Sequence, residues 1–64
     1  MFVVGGTYRH RNCLDVDLYV LRVKYRGTNY WKLRVLWVLR NGEPLESDKV
    51  KVQVNQFHNW TRVA

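Results

Sequence analysis

The stretch LDVDLYVLRVKYRGTNYWKLRVLWVLR, residues 14–40, decides the fold. It alternates aliphatic or aromatic residues with charged ones and is interrupted at Arg26-Gly27-Thr28-Asn29, so it reads as two long strands folded back on each other. From Tyr30 to Arg40 the apolar phase runs unbroken through Trp31, Leu33, Val35, Trp37 and Leu39. On the opposite side Lys32 and Arg34 give way to Leu36 and Val38. The hairpin is therefore basic outside near its turn and apolar on both sides at its far end. The first strand is less regular. Val16, Leu18 and Val20 share one phase and Leu21, Val23 and Tyr25 the other, a slip that would turn half the strand inside out. A β-bulge or sharp bend near Val20-Leu21 restores the phase and adds the twist a long strand needs to serve two halves of a closed barrel.

Beyond this hairpin the elements are short. Gly5 and Gly6 precede a first strand at Thr7 to Arg11, and Asn12 and Cys13 turn the chain. Asn41-Gly42 and Pro44 end the third strand in a polar loop running to about Asp48. Lys49 to Val54 then alternates, with Val50, Val52 and Val54 inward and Lys51 and Gln53 outward. Asn55 to Asn59 suits one 3₁₀ turn with Phe57 packed inward, followed by a last strand from Trp60 to Val63. No useful length carries a 3.6-residue amphipathic period. The expectation is all-β: residues 1–64 as one small five-stranded SH3-like or Sm-like barrel with a long bent central hairpin.

A chain of 64 residues that is 47% hydrophobic and 14% aromatic is too apolar for a disordered segment, even at a net charge of +6. Domains this small bury only ~60% of their unfolded surface, so the core must be dense. Cys13 is the single cysteine, which rules out an internal disulfide and makes a reducing cytoplasm the expected setting. Met1-Phe2-Val3-Val4 is cut short by Gly5-Gly6 and Arg9-His10-Arg11, so neither a signal peptide nor a membrane span is expected. Asn59-Trp60-Thr61 matches the glycosylation sequon, a match without consequence off the secretory route.

Through Gly6-Thr7-Tyr8-Arg9-His10-Arg11, Asp15-Val16-Asp17-Leu18-Tyr19-Val20 and Lys32-Leu33-Arg34-Val35, the chain resembles small cyanophage and marine-metagenome proteins over most of its length. Those proteins look like Sm-like or SH3-like barrels, and the position of Asn59-Trp60 before a short final strand is similar. The resemblance implies a fold and a phage origin, with the host cytoplasm as location. It brings no activity and no functional residues.

Chemistry is carried chiefly by a basic stripe of Arg22, Lys24, Arg26, Lys32 and Arg34. With the hairpin centred near Thr28, Arg22 lies close to Arg34 and Lys24 close to Lys32, a repulsive arrangement that an anionic partner relieves. Tyr30 shares their parity and offers a stacking face, and Tyr19 joins it if the bulge falls suitably. The expected partner is nucleic acid, RNA or single-stranded DNA, in keeping with a pI near 10.0. The bland reading is that strand faces carry lysine and arginine simply to stay soluble and unpaired. A rival reading starts from Leu36 and Val38, which need cover from the chain's own loops or from a second subunit, and makes the protein an interaction or assembly module joined through strand edges.

The remaining candidates are weaker. His10, Cys13, Asp15, Asp17 and His58 are the only side chains from which a metal site could be built, and they lack a second ligand pair at matching spacing. No metal, cofactor or small-molecule substrate is expected. Asp15 and Asp17 are read as ion-pair partners of Arg40, Arg9 or Arg11. Trp31, Trp37 and Trp60 could form an aromatic cage, but Trp31 and Trp37 fall on the inner phase, which favours core packing. With no nucleophile elbow, triad or phosphate-binding glycine loop, catalysis is not expected.

Overall fold

The computed structural model describes residues 1–13 and 15–64; Leu14, which the alternation places at the head of the hairpin, lies outside the described residues. In chain order the elements are β1 (Thr7–His10), β2 (Val16–Arg26), β3 (Tyr30–Leu39), β4 (Pro44–Gln53), a 3₁₀ turn (Val54–Asn59) and β5 (Trp60–Arg62). They form one antiparallel sheet in the order β4-β3-β2-β1-β5. The fold is all-β, and the sheet is open, with β4 and β5 as its edges. No helix among the described residues is long and apolar enough to cross a membrane.

Of the bulge or bend that the phase change demands, the structure has a bulge. Val20 pairs with Val35 and Arg22 with Arg34, which leaves Leu21 as the extra residue. A second bulge follows that the alternation does not announce: Val23 pairs with Leu33 and Tyr25 with Lys32, so Lys24 is extra. This corrects two expectations. Tyr25, read as inward, is 48% exposed on the outer face. Arg26, read as part of the outer stripe, lies opposite Trp31 on the inner side, its guanidinium carbon 5.2 Å from the indole centroid.

The fourth strand is also longer than its alternation suggests. It begins at Pro44, and Val35, Leu36 and Trp37 pair with Asp48, Ser47 and Glu46. An edge strand is hydrogen-bonded on one side only. It therefore tolerates proline at its first position and polar residues along an exposed stretch, the two features that read as loop. Val54, expected inward as the strand's last residue, instead opens the 3₁₀ turn and is partly exposed. The preceding turn is as expected: Gly42 sits at φ +93°, and Asn41 Oδ1 accepts from the Glu43 N–H at 2.9 Å.

One face of the sheet holds the core. Phe2, Tyr8, Leu18, Val20, Leu33 and Val35 are almost wholly buried, Val52 nearly so, and Val23, Trp31, Trp37, Val50, Phe57 and Trp60 pack around them. Phe2 is the hub of its aromatic part. Its ring meets those of Tyr8, Phe57, Trp60 and Trp31 edge to face at 4.7, 5.1, 6.0 and 6.5 Å. The Tyr8 hydroxyl accepts from the Val3 N–H and donates to the Met1 carbonyl, so the N-terminal segment is pinned over the sheet by the residue it covers.

On the outer face, far from the hairpin turn, Arg9 donates to both carboxylate oxygens of Asp17, Nε to Oδ1 at 2.9 Å and Nη2 to Oδ2 at 3.0 Å. These bonds hold the Asp17 carboxyl below its ordinary 3.8, and Arg40 adds a smaller pull. Because the folded-state value is depressed, the stabilisation is complete above about pH 5 and is lost as pH falls through the carboxylate range. Asp17→Asn should lower the urea midpoint at neutral pH and converge with the natural protein near about pH 2. A gap of equal size at both pH values would deny the pair that role.

Candidate nucleic-acid interface

The hairpin places Arg22, Arg34 and Lys49 in one cross-strand row, with Tyr25, Lys32 and Lys51 in the next. Arg22, Lys24, Tyr30, Lys32 and Arg34 are brought together on the outer face as the sequence predicts, while Arg26 is not. Tyr19 lies further along the same face, opposite Leu36. Lys49 and Lys51 complete the face from β4. Alternation shows that they point outward, but only the register shows that they stand opposite Arg34 and Lys32. Three like-charged pairs are therefore directly opposed. The ion pair between Arg9 and Asp17 lies elsewhere, and among the described residues no carboxylate comes within 4.0 Å of these cationic groups.

The second bulge gives this face its aromatic centre. With Lys24 extra, Tyr25 turns outward and its ring lies 5.3 Å from that of Tyr30 at a tilt of 40°. Gly27 makes room for it: a Cβ there would come within 2.6 Å of the Tyr25 ring and 2.8 Å of the Tyr30 carbonyl oxygen. That carbonyl accepts the Gly27 N–H at 3.0 Å, which closes the turn. Lys51 Nζ stands 4.6 Å from the centroid of the Tyr30 ring and Lys32 Nζ 6.0 Å, so two ammonium groups compete for its π-electrons.

Two clefts flank this centre. One of about 470 Å³ lies between the β2–β3 turn and the start of the 3₁₀ turn, lined by Thr28, Asn29, Tyr30, Lys51, Gln53, Val54 and Asn55. The Val54 N–H donates to the Asn29 carbonyl at 2.9 Å and ties its two walls together. The second, about 410 Å³, is lined by Lys24, Lys32, Lys49 and Lys51 with Leu33 and Val50. Lys51 belongs to both. The arrangement offers concentrated positive charge, two phenol rings and side-chain amides, which suits a ligand with both anionic and planar parts.

The other candidates are occupied differently. The His10 ring stands edge-on to Trp60 at 4.8 Å, and its Nδ1 accepts from the Asn12 N–H. Cys13 is exposed and Asp17 is engaged by Arg9. Trp31, Trp37 and Trp60 pack against the core, and Trp37 Nε1 donates to Asp48 at 3.3 Å. No known protein family, characterised protein or solved structure matches the chain.

Proposed function

We propose that the chain is a non-catalytic binding module that takes a nucleic acid, RNA or single-stranded DNA, on its basic face. One observation carries the reading: Arg22, Arg34 and Lys49 in one row and Lys32 and Lys51 in the next are directly opposed, and among the described residues no carboxylate pairs with them. Like charges directly opposed raise the energy of the free sheet, and a polyanion lowers it. Arginine forks and lysine ammoniums contact phosphate, and Tyr25 and Tyr30 supply π-faces for bases. The strand order, with a helical turn between β4 and β5 and two bulges bending β2, fits an SH3-like or Sm-like barrel opened between its last two strands. Such an architecture assigns no activity by itself. A cytoplasm, where the exposed Cys13 thiol stays reduced, is the setting that suits the module.

Fluorescence anisotropy with labelled single-stranded RNA and DNA over a range of salt tests the reading. With about four cations on phosphates, log K should fall against log salt with a slope near −3. Absence of binding at low ionic strength removes the proposal.

A second reading has its own observation. Among the described residues the outer edges of β4 and β5 have no partner strand, and Leu45 in β4 and Val63 just beyond β5 are exposed. Self-association or a protein partner through these edges would cover them. Light scattering that gives a monomer across a wide concentration range excludes the self-associating form.

A further inference from the structure

We infer that the two clefts joined by Lys51 form one nucleotide unit, in which a single unstacked base enters beside Tyr30 while its phosphate lies among the lysines. The inference rests on the nucleic-acid reading and makes it specific. The cleft beside Tyr30 differs from the rest of the basic face: Tyr30 shares its lining with Asn29, Gln53 and Asn55, three residues whose side chains are amides. Amides donate and accept at once, so they can pair with the edge of any base, whereas phosphate accepts only. The neighbouring cleft has the opposite character, with four ammonium groups and no acceptor side chain. A base and a phosphate are the two parts of one nucleotide, and the clefts share a wall at Lys51.

Lys51 also determines the order of events. In the free protein its ammonium lies 4.6 Å from the Tyr30 ring centroid and occupies the face that a base would use. An entering nucleotide offers the ammonium a phosphate and the ring a base, so one movement of an exposed side chain opens the first cleft and closes the second on its ligand. A duplex, with its bases paired and stacked, cannot supply the base without unpairing it. The site is therefore selective for single strands, and its affinity depends on the presence of a base.

The test compares three probes at one salt concentration: an oligothymidine, an abasic backbone of equal length and charge, and a duplex. The oligothymidine should bind about 5- to 100-fold more tightly than the abasic chain, the range expected for one base stacked on one aromatic ring. Tyr30→Ala should reduce that ratio to within about twofold, and Tyr30→Phe should preserve it. The Lys51 side-chain protons, shifted upfield by the Tyr30 ring in the free protein, should move downfield with oligothymidine as a base replaces the ammonium on that ring. Equal binding of oligothymidine and abasic chain, or of oligothymidine and duplex, overturns the inference while the basic-face reading stands. Failure of every probe to bind defeats that reading itself. The comparison on the natural protein decides the matter even if Tyr30→Ala folds poorly.

Discussion

Phe2→Ala is expected to remove from about a third to all of the fold's stability, so that the urea midpoint falls steeply or the chain unfolds outright. Removing a fully buried phenylalanine costs ~3–5 kcal/mol, the lost transfer energy and the cavity together. A domain of this length has only roughly 3–10 kcal/mol in total. Phe2 is 0% exposed and meets four aromatic rings drawn from β1, β3, the 3₁₀ turn and β5. Its loss also frees the segment it anchors, because the hydrogen bonds of Tyr8 to Met1 and Val3 then fix a strip of chain with little apolar area left to bury. Phe2→Leu keeps most of the volume and should cost below about 1.5 kcal/mol plus the edge-to-face term. Tryptophan fluorescence in urea separates the two variants. A Phe2→Ala protein within about 0.5 kcal/mol of the natural one would mean that the N-terminal segment is not seated on the sheet.

The contrast between Phe2 and Leu21 shows what the sequence can and cannot disclose. The bulge at Leu21 is legible because it breaks an alternation: two apolar residues in succession cannot both face inward on a regular strand. The bulge at Lys24 leaves no such mark. Leu21, Val23 and Tyr25 alternate cleanly, and tyrosine suits either face, so only the pairing of Tyr25 with Lys32 shows that the phase has changed. That hidden bulge moves Arg26 out of the stripe and brings Tyr25 into it. Phe2 escapes for another reason. A short apolar segment at a chain end has no period, so its residues carry no information about which of them is buried. Lys49 and Lys51 show a third limit: strand parity says that both point outward, but their meeting with Arg34 and Lys32 is a matter of register, fixed by a turn that is shorter than the composition suggests because an edge strand resembles a loop.

The most informative change on the outer face is the double variant Arg34→Gln with Lys51→Gln, expected to weaken binding and strengthen the fold together. For single strands each phosphate contact contributes about 0.7 to the salt slope, so two fewer contacts make the slope shallower by about 1.4 and lower affinity roughly 25-fold near 0.1 M salt. The same substitutions remove all three opposed pairs, Arg22 with Arg34, Arg34 with Lys49 and Lys32 with Lys51. Each relieved repulsion between exposed side chains is worth a few tenths of a kcal/mol at moderate salt, so the urea midpoint should rise. Arg11→Gln with Arg62→Gln is the matched control, since it lowers net charge equally at exposed positions away from these rows. If total charge alone attracted the polyanion, the two double variants would bind alike. If the stripe only kept the sheet soluble, the natural protein would not bind and neither variant would change that. Affinity lost in the first variant alone, with stability gained, is the result that a face held in repulsion for a polyanion requires, because the free protein is then less stable through the same charges that the ligand uses.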